Sequence, residues 1–442
     1  MIEHNITPQI LEISGNLEHF MLHSGIADDR GKLNDSCYPQ RRFFTHESYA
    51  ASQKFPHEGW YDRESEGGNP NAMSYGFAIG EYTRLFCETG NQKCLDIAEH
   101  LADHILDFQI LDKSRRVYGG FGKGELLNDS AHQLPYALLR LASASPKGDL
   151  YRERALLCLD NFVLKHHLQR NENGELNGIF FDFFSEERNR FESWGEPERC
   201  AHSPLCFGFS LLAAYGMTRK PEYLQGVTRC YDWLMDAFKG EPLSCANGIA
   251  ISPEAEEFKI LGLHNVQTVP RYTGYIIHTL LGAWYYSGDD RYIHEAARCA
   301  DLILDAQRED GTFPLTKEIE KYFPNTSNGA FGYLGGTLHL LALSTGDQKY
   351  EDAARRAVSA LKQDQCSHPD MPQFGGIVRR GGASLLEGMV HPFGYGWVVD
   401  GFQTLLNQQG VLLYLEKESY IGTRAEREDF FTALRKKGEN QE

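Results

Sequence analysis

The sequence predicts an all-α fold, an (α/α)6 barrel of six helical hairpins closed into a ring, with long loops at its mouth. Three observations carry that expectation. Five segments share one amphipathic phase, each follows a helix that is apolar nearly all round, and the connections alternate between short and long.

The chain opens with a helix apolar on one side only. Ile10, Ile13, Leu17, Phe20 and Met21 form a single stripe, so this helix must find a partner surface elsewhere in the chain. Five later segments place apolar residues at offsets 0, 4, 7, 8 and 11, the spacing of one buried helical face. They start at Cys94, Tyr151, Tyr223, Tyr292 and Tyr350. Polar residues such as Glu99, Asp103, Arg152, Arg229, Arg298 and Arg355 fill the other positions, which puts one side of each helix in water.

Across a short turn, each stripe is preceded by a segment rich in Gly, Ala and aromatics, at 72–88, 130–144, 202–217, 270–286 and 329–344. Helices apolar all round belong in an interior, and small residues let their backbones approach closely. The turns Thr89-Gly90-Asn91, Lys147-Gly148-Asp149, Arg219-Lys220-Pro221, Ser287-Gly288-Asp289 and Thr345-Gly346-Asp347 supply a helix stop and the next cap.

A sixth interior helix reads at 392–408 but has no outer partner after it. The N-terminal helix is expected to fill that place and seal the ring, giving one barrel domain over 1–415 and a polar tail or helix over 416–442. An open solenoid that serves as a binding scaffold would share the stripes, but solenoid hairpins have short linkers on both sides. Here the outer-to-inner connections at 109–128, 168–200, 239–268, 308–328 and 365–391 are long and rich in Gly, aromatics and charge, as loops that build a functional face are.

Composition excludes several classes. Lys and Arg number 44 against 61 Asp and Glu, a net charge of -17 with no basic stripe, so neither nucleic acid nor an anionic membrane is an expected partner. No window approaches eighteen uncharged apolar residues. The start, MIEHNITPQILEISGNLEHF, reads as an acid-bearing amphipathic helix without the basic start and apolar core of a secretion signal, which makes the cytoplasm the expected compartment. Most of the ten cysteines, among them Cys87, Cys94, Cys158, Cys206, Cys230 and Cys299, sit in apolar helical stretches and are expected to be thiols.

Every interior helix follows a long loop, so all six N-termini face the same side of the ring. Converging positive helix ends there favour carboxylates and sugar hydroxyls. The acids at those starts are Asp129, Glu198 and Glu387, and the histidines are His132, His202, His264 and His391. Tyr75, Arg271, Tyr272, Tyr333, Tyr395 and Trp397 stand beside them, with Trp60 in the preceding connection. Paired carboxylates flanking a glycosidic oxygen would make a hydrolase. His202, His264 and Tyr272 as bases, with Arg271 holding a developing anion, would make a lyase or an epimerase.

No cofactor is expected. Cys200-x-His202 and Cys366-x-His368 would supply four zinc ligands only by meeting across the ring, and a one-residue gap is unusual for paired structural ligands. The Gly runs near 119–124 and 375–382 follow no strand and lack GK[ST], so they read as turns rather than phosphate loops. The stretch Gln307-Arg308-Glu309-Asp310-Gly311-Thr312-Phe313 resembles the Gln...Asp-Gly-x-Phe stitch of helical toroids, terpenoid cyclases included, but no DxDD or DDxxD motif accompanies it.

The stretch Leu263-His264-Asn265-Val266-Gln267-Thr268-Val269-Pro270-Arg271-Tyr272-Thr273-Gly274 resembles the His-Ala-Asn-Thr-Gln-Ile-Pro-Lys segment of β-L-arabinofuranosidase-like six-hairpin glycosidases, and about a quarter of the chain shares the likeness. The resemblance implies a six-hairpin fold, a carbohydrate substrate and His264 in the pocket. That family's Glu-x-Cys motif is absent from the corresponding place, which reads Asn328-Gly329-Ala330-Phe331-Gly332-Tyr333, so its nucleophile and zinc are not carried over. The expected protein is a glycoside hydrolase acting on a small carbohydrate. A lyase or sugar epimerase is the alternative, a non-catalytic scaffold a third, and self-association is left open.

Overall fold

The computed structural model describes residues 7–25, 27, 31, 38–39, 72–122, 126–127, 130–170, 176–180, 183–185, 188–192, 200–201, 204–237, 242–243, 250–251, 270–313, 331–365, 369, 374–376 and 389–390. Helix α1 spans Thr7–His23. Five inner–outer pairs follow: α2 (Ala72–Thr89) with α3 (Gln92–Leu106), α4 (Ser130–Ala144) with α5 (Gly148–Cys158), α6 (Pro204–Thr218) with α7 (Pro221–Ala237), α8 (Pro270–Ser287) with α9 (Asp290–Ala306), and α10 (Phe331–Thr345) with α11 (Gln348–Asp364). Each described inner helix packs against its own outer helix, and α2, α4, α6 and α8 each pack against the next inner helix in chain order. That is the arrangement of an (α/α)6 barrel.

Local chemistry sets the helix ends. Proline is the first residue of α6, α7 and α8, where its fixed φ suits a helix start and its missing N–H costs nothing. The inner helix expected from 202 therefore begins at Pro204. Asn91, Asp289 and Asp347 cap their helices by accepting from the amides of Lys93, Arg291 and Lys349 at 3.2, 3.0 and 3.0 Å. Gly90, Gly288 and Gly346 take φ of 71, 71 and 75° in the turns just before. In the third hairpin that conformation falls to Arg219, at φ 59°, a strain of about 1–2 kcal/mol for a side chain with a Cβ. Its guanidinium stands 5.6 and 5.4 Å over the rings of Tyr215 and Tyr286, a contact worth about 0.5–1 kcal/mol that offsets part of the strain.

All apolar residues of the five outer stripes are buried, as are Ile13, Leu17, Phe20 and Met21 of α1. A Cβ on Gly76 would stand 2.6 Å from the backbone of Gln133 and Leu134, and one on Gly208 would overlap Thr279, so glycine sets how closely α2 meets α4 and α6 meets α8.

One polar contact recurs around the outer layer. The hydroxyls of Tyr151, Tyr223, Tyr292 and Tyr350 donate to Asp103, Asp160, Asp232 and Asp301 on the preceding outer helix at 2.9, 2.7, 3.0 and 3.0 Å. Each aspartate also meets a cation: Lys147, Lys220, Arg291 and Lys349 respectively, at 2.7, 2.6, 3.2 and 2.9 Å. Burial and the neighbouring carboxylate both push these phenols above their ordinary pKa, Tyr350 to about 12.

Helix α1 touches both ends of this series. Gln365, after α11, donates to the Ile13 carbonyl at 2.9 Å, and Lys362 pairs with Glu12. On the other flank Tyr82 of α2 donates to the Met21 carbonyl, and Asn91 donates to Glu18 at 3.0 Å. The sixth inner helix expected at 392–408 and the tail at 416–442 lie outside the described residues.

Two features depart from the purely helical expectation. The last turns of α5 widen into a π-type segment over Leu159–His167, and the long connections carry short antiparallel strands.

Candidate active site

The rim on the long-loop side is built by a repeated amide clamp. Gln109, Gln307 and Gln365 each lie fifteen residues after the start of an outer stripe, at Cys94, Tyr292 and Tyr350. Each Nε2 donates to a carbonyl three residues into the next outer stripe, that of Arg154, Ala353 or Ile13, at 2.9, 3.0 and 2.9 Å. It also donates to the carbonyl of a glycine in the mouth loop, Gly119, Gly311 or Gly375, at 3.0, 3.2 and 2.9 Å.

These three glycines have φ of 89, 85 and 84°, and a Cβ on them would collide with the carbonyls of Leu157, Arg356 and Asn16. Arg154, Arg356 and Asn16 donate back to the glutamine Oε1 at 3.4, 2.7 and 3.4 Å. The sequence shows this stitch once, at Gln307; the structure repeats it, with α1 standing where a sixth outer helix belongs. Each clamp satisfies buried backbone groups at the base of a mouth loop.

Above the clamps, two-residue ladders lace neighbouring loops. Strand β1 (Tyr38–Pro39) pairs with β9 (Met389–Val390). Strand β2 (Leu126–Leu127) pairs with β5 (Phe183–Ser185), which also pairs with β6 (Arg190–Glu192). Strand β3 (Leu168–Arg170) forms a hairpin with β4 (Leu176–Phe180), and β7 (Cys200–Ala201) pairs with β8 (Ala250–Ile251). Strands this short carry no readable alternation, which is why periodicity missed them.

The described backbone places several candidates in first turns of inner helices: His132 in α4, Arg271 and Tyr272 in α8, and Tyr333 in α10. Their backbones stand at the positive helix ends. Trp60, Asp129, Glu198, His202, His264, Glu387, His391, Tyr395 and Trp397 lie outside the described residues. Along the chain, Asp129 follows β2 by two residues, while Glu198 and His202 bracket β7 as Glu387 and His391 bracket β9. The repeated Glu-x-x-x-His order at the last two places was a signal available in the sequence.

Tyr75 lies in the first turn of α2. It is fully buried, and its ring stacks on His104 of α3 with centroids 5.6 Å apart. It therefore packs against the outer helix of its own pair. Deeper in the inner layer lie the buried polar groups Glu81, Arg84, Arg140, Ser210, His278 and Thr337.

Cys87, Cys94, Cys158, Cys230 and Cys299 are free thiols. Burial pushes Cys94 up to about 12 and raises Cys158, Cys230 and Cys299 as well, which makes these four inert packing groups, whereas Cys87 is exposed. Among the described residues no three His, Cys, Asp or Glu side chains gather as a metal site. His202, Cys366 and His368 of the two Cys-x-His pairs fall outside those residues. No described helix is long and apolar enough to cross a membrane.

No family model matches the chain, and no curated protein matches it in sequence. Solved structures share its fold. D-mannose isomerase superposes with a TM-score of 0.62 over 90% of this chain and 98% of its own, at 12% identity. An unsaturated glucuronyl hydrolase specific for heparin gives 0.64 over 92% and 99%, at 11% identity. The α-1,6-mannanase of Salegentibacter sp. HEL1_6 gives 0.55 over 89% and 99%, at 13% identity. These are six-hairpin (α/α)6 barrels, and this chain has the same fold.

Proposed function

We propose that the protein is a glycoside hydrolase acting on an oligosaccharide or glycoside at the barrel mouth, with Asp129, Glu198 and Glu387 as the acid and base groups. One observation supports this reading above others: each of these acids lies within two residues of a strand tip that ties neighbouring mouth loops together. A pair of carboxyls held across a bound sugar can protonate the leaving oxygen and activate water. His264 then positions substrate, and the aromatic residues Trp60, Tyr272, Tyr333, Tyr395 and Trp397 offer faces on which sugar rings stack. The same reading takes 1–415 as the barrel domain, assigns no cofactor, nucleic acid or membrane partner, and places the protein in the cytoplasm.

Solved structures with this fold include two hydrolases by name, a glucuronyl hydrolase and a mannanase, which supports the reading by analogy. The test is a panel of glycosides and uronate-containing oligosaccharides, followed by Asp129→Asn, Glu198→Gln and Glu387→Gln on whichever compound is cleaved. Loss of general acid or base catalysis lowers kcat by about 100-fold or more. Full turnover by all three variants removes the assignment.

A second reading, proton abstraction by a sugar epimerase or isomerase, draws on the two histidines that share one Glu-x-x-x-His order and on the isomerase and epimerase that share the fold. Incorporation of solvent deuterium at a sugar C–H without bond cleavage selects it.

A further inference from the structure

The glutamine of the clamp is absent from two of the outer stripes, and fifteen residues into the α5 stripe the sequence has His166. Fifteen residues into the α7 stripe the sequence has Phe238, not glutamine. The outer helix that follows makes the contact in the opposite sense. Glu295 lies three residues into the α9 stripe, the position whose carbonyl accepts the clamp at Arg154, Ala353 and Ile13. Its Oε1 accepts from the Leu243 amide at 2.8 Å, and its Oε2 accepts from Arg298 Nη1 at 2.8 Å. The Cys299 thiol lies 3.7 Å from Oε1.

Glu295 is 5% exposed and Leu243 is fully buried. A buried carboxylate is tolerated only where hydrogen bonds and a counter-charge satisfy it, and a bond from an amide to a carboxylate is stronger than one to a neutral oxygen. This side chain therefore fixes one point of the α7–α8 connection against the barrel wall. Seven residues beyond Leu243 the chain enters β8, where Ala250 pairs with Ala201 and Ile251 with Cys200. Strand β7 lies between Glu198 and His202 in the chain, and the same connection continues to His264.

We propose that Glu295 is a positioning residue for the mouth. It sets the register at which the α7–α8 connection meets β7, and through that ladder the placement of the segments that carry Glu198, His202 and His264. The kinetic part of this inference rests on the hydrolase reading; the structural part does not.

The experiment compares the full chain with Glu295→Ala, Glu295→Gln and Arg298→Met by amide hydrogen exchange and, on a cleaved glycoside, by steady-state kinetics. Glu295→Ala is expected to speed exchange over 242–251 about tenfold or more while α2 and α3 are unchanged. It should raise KM several-fold with kcat nearly kept. Glu295→Gln retains an acceptor for the Leu243 amide and restores both readouts, and Arg298→Met gives an intermediate exchange rate from a fold that keeps Glu295.

Unchanged exchange over 242–251, or an increase spread evenly over the barrel, overturns the latch. Local loosening with an unchanged KM overturns its role at the mouth. If the wild-type chain cleaves no glycoside, the hydrolase reading has failed and the exchange comparison alone decides whether Glu295 holds the connection.

Discussion

Gln365 donates a hydrogen bond to the carbonyl of Ile13 across 352 residues of sequence, and the same amide donates to Gly375. The bond has the geometry of Gln109 on Arg154 and of Gln307 on Ala353. The N-terminal helix is therefore held as an outer helix by the device that joins other outer neighbours. Replacing Gln365 by leucine leaves the buried carbonyls of Ile13 and Gly375 without their donor, a loss of about 1–3 kcal/mol for each group left unsatisfied. Urea denaturation should show a lower midpoint. Amide exchange should rise first in α1, whereas Gln307→Leu should loosen α11 instead.

Two glycines with similar φ separate backbone strain from steric overlap. Gly90 has φ 71° and open space where a Cβ would go, while Gly375 has φ 84° and the Asn16 carbonyl in that space. Gly90→Ala should cost only the left-handed conformation, about 1–2 kcal/mol. Gly375→Ala must in addition push α1 away from the rim, so its thermal midpoint should fall by at least twice as much.

The outer helices were legible because one face meets water, and burial of the other leaves a period in the residues: Tyr223, Val227, Cys230, Tyr231 and Leu234 are all buried. The inner helices were legible from their apolar length and from turns such as Ser287-Gly288-Asp289. The links between neighbouring helices were harder to read. Asp103, Asp160, Asp232 and Asp301 each lie nine residues into a stripe, but their meaning depends on knowing that this position faces the first residue of the next stripe. Of the candidate site, the helix starts were readable from chain order. The way side chains converge there depends on loop paths, which are set by contacts as particular as Glu295 on Leu243.

Alkaline pH should weaken the outer ring in a defined window. Burial, then the charge of Asp301 and the hydrogen bond to it, raise Tyr350 from 10.0 to about 12, against the opposing pull of Lys349. The folded chain thus keeps a proton that the unfolded chain releases. This contribution is fully present below pH about 10 and is lost as pH rises through about 12. Unfolding free energy measured from pH 9 to about 12 should fall less steeply for Tyr350→Phe than for the wild type, although the variant is less stable at the start of the range. Parallel curves would refute the linkage.

Tyr75 allows packing and binding to be told apart. Its ring is fully buried and stacked on His104 of α3. Tyr75→Ala removes a large buried side chain and should destabilise the chain by about 3–5 kcal/mol. If the ring serves packing alone, the fraction that remains folded at low temperature should bind substrate as the wild type does. A residue of the mouth would behave in the opposite way, raising KM while leaving the denaturation midpoint in place. Isothermal kinetics and urea titration on the same preparation distinguish the two, and a KM effect at wild-type stability would return Tyr75 to the sugar site.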